Sequence, residues 1–390
     1  MPRTVILSAV RTAIGTARKG SLTETPPETL AKAVVVEAVR RSGLPPELVD
    51  DIVLAESLYG GGAIARHVAV EAGMLAVPGL AINRHCAGSL SAVGVGAASI
   101  GAGVDRAIIA GGAQSSSLAP ELVHRLPGTE EVERNWMPPT HPDSSEAPNR
   151  DMTISVGWNT ARLAGVTRED MDRWACRSHQ RAVAAIDAGH FKQEILPILV
   201  TRKDGSTILF DTDEHPRRDT SLERLASLKP LHPEIEGFSI TAGNSSGIND
   251  AAAALMLASD ELAKARGLEP LASVRGWATV GVDPVRMGLA VIDVISKALS
   301  RAGVAVKDVA LWEINEAFAS VPVAVSRHFD LDEAIVNAAG SGCSLGHPVA
   351  ASGARMLNTL IYDLRRRGGG IGVAAMCAGG GQGGAAVIEV

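Results

Sequence analysis

The stretch Ile82-Asn83-Arg84-His85-Cys86-Ala87-Gly88-Ser89-Leu90-Ser91-Ala92 decides the reading of this chain. A strand-like apolar approach gives way at Cys86 to small residues that read as the start of a tightly packed helix over Leu90 to Ile100. A thiolate is the effective nucleophile, and at neutral pH it needs a nearby base or a helix N-terminus to form. A Cys at a strand-to-helix turn is therefore a candidate nucleophile. Two other segments have the same turn-like build: Ser344-Leu345-Gly346-His347-Pro348, and Ala374-Ala375-Met376-Cys377-Ala378-Gly379-Gly380-Gly381-Gln382-Gly383. A distant His supplies a base, and a second Cys suggests a second proton-transfer step.

Around these turns the chain alternates strand and helix. Thr4 to Ser8 reads as a strand, Pro27 to Ser42 as an amphipathic helix closed by Gly43, Val49 to Leu58 as a helix end and strand, and Arg106 to Ala110 as a buried strand. The last third repeats the theme, with helices at Ile292 to Arg301 and Ala350 to Arg366 and strands at Val309 to Ile314, Ala334 to Val336 and Ile371 to Met376. Such alternation implies a mostly parallel sheet covered by helices. Asn83 is echoed by Asn337, and Gly111-Gly112-Ala113-Gln114 by Gly380-Gly381-Gln382-Gly383, as in a duplicated domain. Between the halves, Leu118 to Ile240 changes character: it is rich in His, Trp and Pro, carries a charged helix over Arg168 to Asp187, and reads as a lid-like insertion over a ligand site.

The composition narrows the function classes. The chain has 390 residues, 46% hydrophobic and 21% charged, enough to bury large cores. Aromatics reach 3% and the net charge is -6, which disfavours nucleic-acid stacking and basic polymer binding, so an anionic ligand must be held by a local Arg or Lys cluster. The four cysteines (Cys86, Cys176, Cys343, Cys377) form no CxxC pair and read as reduced thiols of a cytoplasmic protein. The N-terminus has no secretory pattern, and no apolar stretch reads as a membrane span.

At these motifs the chain resembles the thiolase family, the acetyl-CoA acetyltransferases and 3-ketoacyl-CoA thiolases, from Val5 to Val390. Beside the three turns, the likeness rests on Ser8-Ala9-Val10-Arg11-Thr12, Arg177-Ser178-His179-Gln180, Thr241-Ala242-Gly243-Asn244-Ser245-Ser246-Gly247-Ile248-Asn249-Asp250 and Asn315-Glu316-Ala317-Phe318-Ala319. The resemblance implies an α/β duplicated fold, with two mixed five-stranded sheets in a layered αβαβα arrangement and an inserted lid. The N-terminal half would be residues 1–117 completed by about 241–267, the insertion 118–240, and the C-terminal half 268–390.

It further implies an acyl-CoA C-acyltransferase that forms or thiolytically cleaves a 3-ketoacyl-CoA by ping-pong chemistry. Cys86 would carry the acyl group, His347 take its proton, Cys377 act as base and acid on the substrate carbon, Asn315 hold a water, and Gly379 give an oxyanion N–H. Arg217, Ser246, Met287 and Phe318 would contact coenzyme A or the acyl group. Coenzyme A and acyl-CoA enter as substrates, with no permanently bound cofactor, metal, nucleic acid or membrane. The family's assembly is a homodimer or homotetramer. Plainer readings stand beside these: a structural Cys, an N-capping Asn315, and Arg217 with Arg218 as solvated surface and not a phosphate clamp. A non-catalytic acyl-CoA or lipid-binding relative and a ketosynthase-like condensing enzyme are the competing functions; the second uses a His where Cys377 stands. The chain departs from the family pattern at Cys86-Ala87-Gly88-Ser89-Leu90, at His347-Pro348-Val349-Ala350, at Met287-Gly288-Leu289-Ala290, and at Met152 to Trp158, which Asp151 precedes in place of a His. The Pro-rich Met137 to Pro148 reads as either acyl pocket or subunit contact.

Overall fold

A computed structural model describes residues 2–57 and 62–390; Leu58, the end of one expected strand, lies outside them. The strands that position the site are β1 (Thr4–Thr12), β2 (Asp51–Ala55), β3 (Gly79–Ile82), β4 (Ala107–Gln114), β5 (Asn249–Ser259), β6 (Ala272–Gly281), β7 (Val309–Ile314), β8 (Ile371–Ala378) and β9 (Gln382–Glu389). The helices are α1 (Pro27–Ser42), α2 (Ile64–Glu71), α3 (Gly88–Ala102), α4 (Arg168–Asp187), α5 (Ala290–Ala302), α6 (Ser320–Phe329) and α7 (Ser352–Arg366).

Pairing exposes the duplication. One half runs β3-β2-β4-β5-β1, and the other runs β7-β8-β9-β6, with Val336 bridging Trp312 of β7 in parallel at its outer edge. Parallel and antiparallel neighbours follow in the same order in both: β2 is parallel to β3 and β4, as β7 is to Val336 and β8, and the remaining ladders are antiparallel. The halves meet through a two-residue ladder, Val5 with Ser273 and Ile6 with Ala272. Ala334 to Val336, expected as a strand, is a 3₁₀ turn followed by that single bridge, because Asp332 caps the turn through the Ala334 N–H. The expected glycine echo is also displaced. Gly111 to Gln114 lie inside β4, whereas Gly380 and Gly381 form the turn between β8 and β9; the counterpart of β4 is β8.

Helices α3 and α7 form the middle layer, each packing on strands of both halves, while α1 with α2 and α5 cover the two outer faces. Small residues make this middle layer possible. A Cβ on Gly353 of α7 would lie 2.6 Å from the Leu90 N of α3, so only glycine lets the two helices cross so closely. At that crossing the Ser89 hydroxyl accepts the Ala354 N–H at 3.0 Å. The sequence periodicity predicts α1 and its end well: Gly43 closes the helix at a φ of 71°, in the left-handed region that Gly tolerates.

The insertion departs from β4 and returns at β5. Its anchor is Arg11 of β1, buried, which meets Asp213 at 2.7 and 2.9 Å and Glu194 at 2.7 Å. Removing one partner of such a buried charge cluster costs about 3–5 kcal/mol, so this contact pins the insertion to the sheet. Within it, Thr153–Trp158 forms a single turn of π-helix, the stretch that departs from the family pattern. A π turn re-aims side chains and is common near functional sites; here it presents Gly157 to Phe318, so closely that a Cβ would lie 2.8 Å from the ring. Among the described residues no helix is long and apolar enough to cross a membrane.

Candidate active site

The Cys86 turn sits where β3 runs into α3. The Asn83 side chain accepts the His85 N–H at 2.8 Å, His85 takes a φ of 45°, and helix α3 begins at Gly88. A non-glycine residue held in the left-handed region stores strain that is often found beside functional groups. The turn packs against both β8 and the start of α7. Those contacts bring Cys86 to Cys377 at the end of β8 and to the backbone of Gly379.

Two opposed effects act on the Cys86 sulfur. Burial pushes its pKa up to about 11, while N–H groups of its own residue and of Gly379 pull it down. Cys377 is pushed further up, by burial first and then by the neighbouring Cys86 sulfur. Both groups therefore rest as thiols, and either would have to lose its proton before it could act as a nucleophile. At Gly379 a Cβ would lie 3.1 Å from the His85 ring.

His347 is oriented from two sides. Its N–H donates to the Asn249 side-chain oxygen at 3.0 Å, and its Nδ1 lies 2.6 Å from the Ser352 hydroxyl. The Ser352 hydroxyl also lies 2.9 Å from the Pro348 carbonyl, which can only accept; with its hydrogen given there, Nδ1 carries the imidazole hydrogen and donates to Ser352. Nε2, buried and without a partner among the described residues, is left as a base. Burial, and secondarily the Arg355 cation, pushes His347 down to about 4, so at neutral pH it is uncharged and can accept a proton.

Asn315 follows β7. Its N–H donates to the Ala375 carbonyl at 3.0 Å, and both polar atoms of its fully buried side chain lack partners among the described residues. A buried amide in that state is suited to hold a small polar molecule. Its neighbour Glu316 is fully engaged, accepting from Trp174 Nε1 at 2.8 Å, Asn337 Nδ2 at 2.8 Å, the Ser178 hydroxyl at 2.6 Å and the Cys343 N–H at 3.1 Å. These bonds tie α4, the Asn315 loop and the short helical turn Gly342–Leu345 ahead of His347 into one unit.

The expected coenzyme A contacts divide. The turn carrying Ser246 is stitched to the Asn315 loop, since the Ser246 N–H donates to the Ala317 carbonyl at 2.9 Å and Ser245 bridges Phe318. Phe318 and Met287 are buried in the core of the C-terminal half. Arg217 is exposed and lines a cavity of about 360 Å³ with His179, His215, Gly247 and Cys343. Arg218 does not line this cavity: it turns to Asp187, at 2.6 and 2.9 Å, because that carboxylate on α4 satisfies its guanidinium. Sequence reasoning did not single out His85, Asn249 or Ser352. Asn249 lay inside a quoted motif, and Ser352 one helical turn past Pro348, a spacing that a helix start would have made readable. No group of His, Cys, Asp and Glu among the described residues is arranged to hold a metal.

Paired α/β halves that set a half-buried thiol beside a second thiol, with a neutral imidazole ahead of the helix α7 that packs on the Cys86 turn, are suited to thiol-dependent acyl transfer. The family model of the thiolase N-terminal domain matches residues 4–261 and that of the C-terminal domain residues 268–390. The chain is 39% identical over 396 residues to the acetyl-CoA acetyltransferase of Pseudomonas aeruginosa, covering 98% of each chain. It is 36% identical over 403 residues to the 3-ketoacyl-CoA thiolase of Bacillus subtilis, covering 100% of both. The crystal structure of the Bacillus anthracis acetyl-CoA acetyltransferase superposes with a TM-score of 0.91 at 37% identity, over 100% of this chain and 99% of that one. Human mitochondrial 3-ketoacyl-CoA thiolase in complex with CoA gives a TM-score of 0.90 at 33% identity, over 100% and 98%. The chain belongs to the thiolase family, and it is an acyl-CoA C-acyltransferase. These relatives do not favour a non-catalytic binder or a ketosynthase.

Proposed function

We propose that Cys86, His347, Cys377, Asn315 and Gly379 carry out ping-pong Claisen chemistry on coenzyme A thioesters. The observation that carries this reading is the Cys86 sulfur at the head of α3, beside Cys377 and facing the Gly379 N–H. His347 Nε2 takes the thiol proton as the sulfur attacks the thioester carbonyl, and the N–H groups of Cys86 and Gly379 receive the oxyanion. Collapse breaks the carbon–sulfur bond to coenzyme A, and the departing thiolate takes the proton from His347. In condensation, the Cys377 thiol gives its proton to the neutral His347 and, as thiolate, removes an α-proton from the second thioester; the resulting carbanion attacks the Cys86 acyl group, and the released Cys86 thiolate takes the proton back from His347. In cleavage Cys377, as a thiol, returns that proton to the leaving carbanion. His347 and a water held by Asn315 stabilise the enolate oxygen.

Coenzyme A would enter along the cavity of Arg217 and Gly247, with Ser246 at the pantetheine, Arg217 at the nucleotide, and Phe318 and Met287 toward the acyl end. The shared strand order supports the division into an N-terminal half of residues 1–117 completed by about 241–267, an insertion at 118–240, and a C-terminal half at 268–390. The four free thiols support a cytoplasmic setting, in which the family's homodimer or homotetramer forms and serves fatty-acid and lipid metabolism. The test is incubation with acetyl-CoA followed by intact-protein mass analysis and peptide mapping. An acetyl adduct on Cys86 with stoichiometric release of coenzyme A is expected, and absence of both removes the acyl-enzyme.

A further inference from the structure

Asp151, which stands in place of a His ahead of the π turn, is met by a His from further along the insertion: His232 Nε2 lies 2.8 Å from Asp151 Oδ2. The other ring nitrogen, Nδ1, lies 2.7 Å from Glu234 Oε1. A neutral imidazole has one N–H and can donate to only one of these carboxylates, whereas the imidazolium donates to both. Asp151 also heads the π turn. Its Oδ1 accepts the Thr153 N–H at 2.9 Å and the Thr153 hydroxyl, and its carbonyl accepts the Ser155 N–H at 3.1 Å. His232 belongs to a compact loop, Leu231 to Ile240, closed at its base by the Leu231 N–H donating to the Ile240 carbonyl at 2.9 Å. The ring of Phe238 in this loop lies between His232, edge-on at 5.0 Å, and Trp158 of the π turn, at 5.4 Å between centroids.

The clasp joins two segments that both continue into the site. The π turn presents Gly157 to Phe318, and the Gly157 carbonyl accepts the Ser320 hydroxyl at 2.9 Å at the start of α6. Just past the turn, Thr160 packs on the neighbour of Met287: a Cβ on Gly288 would lie 1.9 Å from the Thr160 hydroxyl. The loop runs directly into the Ser246 turn, where the Asn244 side-chain oxygen accepts the Thr241 N–H at 2.8 Å. Phe318, Met287 and Ser246 are the residues assigned to the acyl end and the pantetheine. We propose that Asp151 and His232 are positioning residues for thioester binding: the imidazolium, held between Asp151 and Glu234, keeps the π turn and the loop leading to Ser246 together, so that the walls of the thioester site stay closed. This rests on the assignment of those three residues to coenzyme A thioesters. Among the described residues the charged groups bonded to the ring are Glu234 and Asp151, and they hold His232 above its ordinary value of 6.5. The clasp is therefore complete below pH 6.5 and is lost as the pH rises through the raised value.

The experiment follows single-turnover acylation of Cys86 by acetyl-CoA at pH 6 and pH 9, in the wild type, His232→Gln, Asp151→Asn and His232→Arg. It reads the saturating rate and the half-saturating concentration, and comparison with the wild type at the same pH cancels the titration of coenzyme A itself. A half-exposed ion pair is worth a factor of about three to five. At pH 6 the Gln and Asn variants should therefore raise the half-saturating concentration about threefold to fivefold at an unchanged saturating rate, because only the closed fraction of the free enzyme falls. At pH 9 the wild type and these two variants should coincide. His232→Arg, whose cation persists at both values, should match the wild type at pH 6 and bind more tightly than it at pH 9. Asp151→Asn serves alone if His232→Gln does not fold. Half-saturation equal to the wild type at pH 6, whatever the melting temperatures, overturns the clasp alone, as does a fall in saturating rate at unchanged half-saturation. An excess that persists undiminished at pH 9 overturns the imidazolium. No adduct on Cys86 and no release of coenzyme A in the wild type overturns both the clasp and the acyl-enzyme.

Discussion

The two halves share one strand order yet treat their equivalent ends differently. After β3, Asn83 shapes a tight turn and α3 follows at once, leaving Cys86 partly exposed beside a cavity. After Val336, Asn337 instead staples backward to β7, bonding Ile314 N–H and carbonyl at 2.8 Å each and Glu316 at 2.8 Å, and a longer path delivers His347 fully packed. Likewise, β8 and β9 meet in a glycine turn, while the same position between β4 and β5 admits the whole insertion. The two halves are similar scaffolds whose loops diverge, so that the proposed acyl carrier Cys86 stands on the open turn and the proposed base His347 in the sealed half.

The sharpest way to break that division is at the carrier. Cys86→Ala should lower thiolysis by more than about 10⁴-fold and abolish the mass adduct, since no other group can hold the acyl chain. Cys377→Ala should lower carbon–carbon cleavage by about 10³-fold while acylation of Cys86 persists, a split read by comparing turnover with adduct formation. Loss of both together would mean that the two thiols do not divide the work.

Glu316→Gln tests the sealed half as a unit. It replaces one acceptor oxygen with an NH₂ that faces donors on either side, and should cost about 2–4 kcal/mol of stability in denaturant titrations. Ser352→Ala frees the His347 tautomer and should lower the acylation rate by about tenfold at unchanged KM, because a neutral hydroxyl orients the ring without supplying charge. An effect confined to KM would place Ser352 outside the proton path.

The smallest expected change in acylation is with pH near neutrality. With His347 pushed down to about 4 and Cys86 up to about 11, acylation should be flat between pH 6 and 8, falling on the acid side as the base protonates near 4. Stability should respond in the same direction. His179, His215 and His347 are all pushed down to about 4 by burial, so below their ordinary value of 6.5 the unfolded chain binds protons that the folded one refuses. Stability is then full above pH 6.5 and declines toward pH 4, by at most roughly 1.4 kcal/mol per pH unit for each group. A steep acylation limb near pH 7 would instead indicate a thiolate–imidazolium pair.

Periodic segments were legible where local rules dominate. Helix α4 was legible over Arg168 to Asp187 as a charged helical stretch, and the Thr167–Asp170 capping box that starts it also lies in contiguous sequence. The Ala334 to Val336 strand was misread because a short apolar run does not distinguish a ladder from a capped turn with one bridge. The adjacency of Arg217 and Arg218 is visible in sequence, whereas the Asp187 that draws Arg218 away lies on α4.

By itself the sequence determined the residue types of the chemistry, the turns that carry Cys86, His347 and Cys377, and the alternation that requires layered sheets and helices. Only the tertiary structure decided the protonation of those groups, the tautomer of His347, the strain at His85 and the cavity beside it. Those properties depend on burial and on partners remote in the chain, and neither leaves a local pattern in the order of residues.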